Sequence, residues 1–104
     1  MTTITHHLPD RETVLRLVRE RRQDWTRRYG IAVAGLIGSV GRGTAGADSD
    51  VDLLADVSGS PSLFDLEKLQ QEISDELGCK VDVVLRSGLA PHWRAFAEAE
   101  LVAA

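Results

Sequence analysis

Asp50 and Asp52 stand one residue apart at the head of the apolar run Val51 to Val57, and ten residues separate Asp50 from Gly38-Ser39, which ends the earlier run Ile31 to Ile37. On an extended strand, residues two apart point to the same face, so the two carboxylates lie side by side. Adjacent carboxylates repel each other, and a cation between them relieves the repulsion. Magnesium suits such a pair, because it takes hard oxygen ligands from one or two carboxylates and completes its octahedron with substrate phosphates and water. At Gly38-Ser39, backbone N–H groups and a hydroxyl are placed to hold phosphate oxygens at the mouth of the following turn. The stretch from Gly38 to Asp52 therefore reads as a site for a nucleoside triphosphate and magnesium.

The rest of the chain supplies elements around that stretch. Asp10 is a plausible N-cap for a helix in which Val14, Leu15, Val18 and Trp25 recur at helical spacing until Tyr29-Gly30, where glycine gives a stop signal. Trp25 is assigned to the core of that helix rather than to base stacking. Ile31 to Ile37 is a continuous apolar run that fits a buried strand. In Val51 to Val57 the alternation is broken at Leu54. Ser60-Pro61-Ser62 starts a second helix with an inner stripe of Leu66, Leu69, Ile73 and Leu77, stopped at Gly78. Lys80 to Leu85 forms a third strand, and Pro91 opens a last helix with an apolar face of Trp93, Phe96, Ala97 and Leu101.

This order predicts an α/β (α+β) domain with a small mixed sheet of about three strands flanked by helices. Residues 1–9 read as a flexible tail and residues 10–104 as a single domain. The second and third strands, joined through a helix, should run parallel by a right-handed crossover. That puts Asp82 beside Asp50 and Asp52. A lone acid among Val81, Val83 and Val84 needs a partner if buried. It is either a solvent-facing or Lys80-paired carboxylate, or a third carboxylate of the site, and the upstream pair favours the second reading.

Composition excludes several classes of function. With 104 residues, 43% hydrophobic and 27% charged, the chain is near the small end of what buries its own core. Its apolar runs are too short to span a bilayer and its N-terminus lacks a signal-peptide pattern, so a soluble cytoplasmic protein is expected. The single Cys79 excludes an internal disulfide and a thiolate metal cage. Net charge is −4 but lopsided: residues 1–46 carry eight arginines against four acids, and residues 47–104 carry four basic residues against twelve acids. Seven of the arginines fall between Arg11 and Arg28, which makes either a patch for an acidic partner or RNA, or a solvated helix face mixed with Glu12, Glu20 and Asp24. The net negative charge opposes nucleic acid as a partner.

Gly38-Ser39, ten residues, Asp50-x-Asp52, together with Arg42-Gly43 after the turn, Ser49-Asp50 before the second strand, and the segments Ser62 to Gln70 and Leu77 to Val84, resemble the nucleotidyltransferase superfamily of DNA polymerase β type. Within it the chain is most similar to the minimal MNT-domain proteins that act as antitoxins beside HEPN-domain toxins. The resemblance implies the nucleotidyltransferase fold. It implies that Asp50 and Asp52 hold catalytic magnesium, two ions in all. Asp82 would be a third ligand that helps take the proton of the attacking hydroxyl, and Gly38 and Ser39 would bind the nucleotide's phosphates. Arg42 would add positive charge near those phosphates, or else form a salt bridge to Asp48 or Asp50. Gly41 stands where many relatives have Ala.

The resemblance further implies ATP as substrate and transfer of AMP to a tyrosine of a HEPN-domain RNase toxin, with a stable complex between the two proteins. Two other readings remain beside it: an antitoxin that neutralises its toxin by covering it, and a small-molecule nucleotidyltransferase of the aminoglycoside-modifying kind. A three-stranded sheet in so small a domain leaves edges open, so a hetero-complex or a homodimer is expected.

Overall fold

The computed structural model of the protein describes residues 9–38 and 50–104. Helix α1, Arg11–Tyr29, starts where the Asp10 carboxylate accepts a hydrogen bond from the Thr13 backbone N–H at 2.8 Å. It ends at Gly30, whose left-handed backbone (φ 68°) lets its N–H close the last turn on the Thr26 carbonyl. Val14, Leu15, Val18 and Trp25, the positions expected from helical spacing, are all buried.

Strand β1, Ile31–Ile37, pairs antiparallel with β2, Val51–Val57, with Ile37 opposite Asp52. The register shifts between Val33 and Gly35. One extra residue changes the parity of the strand, so that Val33 and Leu36 both enter the core. Helix α2, Leu63–Leu77, opens with a capping box in which Ser62 and Asp65 each accept the other's backbone N–H. Gly78, at φ 70°, closes it.

Strand β3, Val81–Leu85, lies parallel to β2 as the crossover rule requires. After a 3₁₀ turn, Arg86–Gly88, helix α3 spans Pro91–Glu100 and leads into a fourth strand, β4, Val102–Ala103, antiparallel to β1.

The sheet thus has four strands among the described residues, in the order β3-β2-β1-β4, rather than about three. A two-residue strand carries no periodicity for a sequence reading to detect. Its place is set by Gly35, where an added Cβ would come within 2.2 Å of the Val102 carbonyl oxygen. Only glycine lets the two backbones approach that closely.

Helices α1 and α2 cover one face of the sheet. Their apolar stripes meet Ile31, Val33, Val51, Leu53, Ala55, Val81 and Val83 in one buried cluster. Asp52, Leu54 and Asp56 alternate with the core residues of β2 and therefore belong to the opposite face. The two helices are also joined by a charged clamp at their outer surface. Glu72 accepts hydrogen bonds from Trp25 Nε1 at 2.9 Å, from the Tyr29 hydroxyl at 2.8 Å and from Arg28 at 2.6 Å, and Arg21 pairs with Glu76 at 2.6 Å. Arg28 above all, then the Tyr29 and Trp25 hydrogen bonds, hold the Glu72 carboxyl down at about 2 against an ordinary 4.5. The arginine-rich helix thus spends Arg21 and Arg28 on folding.

Helix α3 departs from its expected role. Of its predicted apolar face only Ala97 is buried within the helix, whereas Trp93 and Phe96 are 56% and 57% exposed and pack edge to face with each other. Periodicity identifies an apolar face but not what covers it. Leu101 lies just past the helix end and is partly buried. No helix among the described residues is long and apolar enough to cross a membrane.

Candidate active site

Parallel pairing of β2 with β3 puts Asp52 directly opposite Asp82. Asp50 stands at the entry to β2, where the Val51 N–H donates to the Lys80 carbonyl at 3.0 Å. Burial, then the charges of Asp82 and Asp50, push the Asp52 carboxyl above its ordinary 3.8, and Lys80 partly opposes them. The Lys80 ammonium lies 3.5 Å from Asp50 Oδ2, so Lys80 serves Asp50 rather than Asp82. Among the described residues, no three His, Cys, Asp or Glu side chains converge into a ready cage for a metal. The arrangement is an open group of carboxylates with an excess of negative charge.

Gly38 joins this group to the turn. Its φ of 81° is in the left-handed region, and a Cβ there would sit 2.9 Å from Asp52 Oδ2. The start of the turn therefore abuts the carboxylate with no side chain between them. Ser39 and Arg42, with Gly41, Asp48 and residues 1–8, lie outside the described residues.

The family profile described as a nucleotidyltransferase domain matches residues 16–103. The chain belongs to the nucleotidyltransferase-domain family. A protein adenylyltransferase, MntA, of Thermococcus cleftensis is 35% identical over 78 residues, 75% of this chain and 79% of the relative. A solved structure of a candidate minimal nucleotidyltransferase superposes with a TM-score of 0.76 at 37% identity, covering 92% of this chain and 97% of the other. A toxin–antitoxin crystal structure with AMP-PNP has the same fold, with a TM-score of 0.55 at 20% identity over 68% of this chain and 59% of that one.

This nucleotidyltransferase domain also carries features at the site that the sequence reading passed over. One is Lys80 as counter-charge to Asp50. Another is a groove of about 350 Å³ between α2 and the outer edge of β3, lined by Glu67, Gln70, Gln71, Ser74, Lys80 and Asp82. In it Gln70 Oε1 accepts the Val83 backbone N–H at 2.8 Å. A signal for Gln70 was present: it lies four residues after Leu66 and three before Ile73, a polar residue on an otherwise apolar helical stripe.

Proposed function

We propose that this chain is an antitoxin-type, magnesium-dependent protein adenylyltransferase, transferring AMP from ATP to a tyrosine of a partner HEPN-domain RNase toxin and so neutralising it. The observation that carries the reading is the line of Gly38, just past β1, Asp52 on β2 and Asp82 on β3, with Asp50 at its side. The likeness to a protein adenylyltransferase supports AMP as the group moved and a protein as its acceptor.

The donor set fits magnesium. Asp50, Asp52 and Asp82 offer only hard oxygens, and the raised Asp52 carboxyl marks negative charge that Lys80 leaves uncompensated. An ion that draws the rest of its octahedron from phosphates and water needs one or two protein carboxylates and no closed cage. When bound, two such ions would neutralise charge on the attacking and leaving oxygens. Gly38 leaves room for the triphosphate beside Asp52, and the hydroxyl of Ser39 and the charge of Arg42 would serve its phosphates. Asp82 accepts the proton of the tyrosine hydroxyl as its oxygen bonds to the α-phosphorus of ATP. The bond from that phosphorus to the bridging oxygen breaks, and pyrophosphate departs.

The test is to mix the purified protein, ATP and magnesium with a HEPN-domain protein, sought first in the neighbouring reading frame, and weigh that partner. A gain of whole AMP units, lost with Asp50→Ala, is the expected result. A partner that is inhibited yet unmodified would show that the protein acts by covering its toxin.

A further inference from the structure

The groove between α2 and β3 is a second opening at the same carboxylates. Across this end of the sheet Gly38 follows β1, Asp52 is on β2, Asp82 is on β3, and the groove lies beyond β3 at the sheet edge. Donor phosphates held beside Gly38 and an acceptor held in the groove would reach the carboxylates from opposite sides. In-line displacement requires that relationship between leaving and attacking oxygens.

We propose that this groove is the acceptor site, and that its occupant is an extended polypeptide segment of the acceptor protein whose hydroxyl is delivered to Asp82. The proposal rests on the adenylyl transfer above for its reaction and adds where the acceptor binds. Two observations select a polypeptide. β3 is an edge strand, and its outer Val83 N–H is held by the side-chain carbonyl of Gln70 at 2.8 Å. A peptide carbonyl makes the same bond when an extended segment adds to a sheet edge, so exchange with Gln70 keeps that N–H satisfied. The charge of the walls is the second. Glu67 and Asp82 are acidic, and Lys80 is turned to Asp50, so the groove repels a phosphate backbone and admits a neutral or basic peptide. At about 350 Å³ it falls within the roughly 300–1,000 Å³ of pockets that hold a small ligand, enough for a side chain and its neighbours.

Glu67 and Gln71 are exposed on α2, so they can be replaced without loss of the core. With the HEPN-domain protein of that test as acceptor, the double variant Glu67→Arg, Gln71→Arg is expected to bind a fluorescent ATP analogue like the unsubstituted protein. Its KM for the acceptor protein should rise about tenfold or more. Independently, p-benzoylphenylalanine at position 71 should photo-cross-link to one segment of that acceptor, located by mass spectrometry, whether or not transfer occurs. Transfer at an unchanged KM in the double variant, or no cross-link from position 71 to the acceptor, would overturn the groove assignment. A cross-link without any AMP transfer by the unsubstituted protein would keep the groove as the docking site and overturn the adenylylation reading instead.

Discussion

Asp52 and Asp82 face each other across the parallel pairing of β2 and β3, with Asp50 two residues before Asp52. Burial and these two neighbours raise the Asp52 carboxyl, so the folded chain binds a proton there more tightly than the unfolded chain does. The sign follows from linkage: at pH values above the raised pKa the ionised Asp52 costs folding free energy, and the cost is relieved as pH falls through that pKa. At neutral pH without magnesium, Asp52→Asn is therefore expected to raise stability, because it removes a charge that burial and two like charges disfavour. The same change should abolish AMP transfer. Thermal melts with and without magnesium check it: the ion should raise the Tm of the unsubstituted protein more than that of the variant.

Gly38 and Gly35 are both irreplaceable, for different reasons. At Gly38 a side chain meets a left-handed backbone and Asp52 Oδ2 at 2.9 Å. Gly38→Ala should cost about 1 kcal/mol or somewhat more, and should lower kcat by displacing Asp52. At Gly35 the obstacle is the β4 backbone, 2.2 Å from an added Cβ. Gly35→Ala should release β4 from β1 while leaving the carboxylates in place. Hydrogen exchange at Ala104, whose N–H donates to the Ala34 carbonyl, separates the two: it should speed up in Gly35→Ala and stay slow in Gly38→Ala.

Glu72 ties α1 to α2 through Trp25, Tyr29 and Arg28. Its carboxyl is held at about 2 against an ordinary 4.5. A depressed carboxylate contributes stability that is present above the unfolded value and lost as pH falls toward the folded one. The protein should accordingly lose stability between about pH 4.5 and 2. Glu72→Ala leaves the buried Trp25 N–H without its partner and should cost about 1–3 kcal/mol at pH 7. It should also flatten the acid limb of a stability profile measured by urea unfolding.

The placing of the carboxylates at one end of the sheet was legible because strand geometry has a period of two. Asp50 and Asp52 had to share a face, and the crossover rule alone brought Asp82 to them. The helix ends were equally legible, since Asp10, Ser62, Gly30 and Gly78 each carry a local backbone requirement. What stayed hidden depends on tertiary placement. β4 exists only because Gly35 admits a second backbone, and Lys80 could not be assigned to Asp50 rather than Asp82 before the strand ends were known. Gln70 was passed over because the edge N–H that it satisfies belongs to a strand thirteen residues away.

The two tryptophans make the limit of periodicity measurable. Trp25 and Trp93 each sit on an apolar helical face, yet Trp25 is fully buried and hydrogen-bonded to Glu72, while Trp93 is 56% exposed. Removing a buried aromatic costs its transfer free energy plus the cavity it leaves, so Trp25→Ala should lose about 3–5 kcal/mol, enough to unfold so small a domain. Trp93→Ala removes a ring that stays more than half exposed, and its stability should fall by no more than about 1 kcal/mol. Tryptophan fluorescence reads both sites directly. Acrylamide should quench the emission of Trp25→Phe, which reports Trp93, far more strongly than that of Trp93→Phe, which reports Trp25. Equal quenching in the two variants would mean that α3 lies against the domain in solution with its aromatic pair covered.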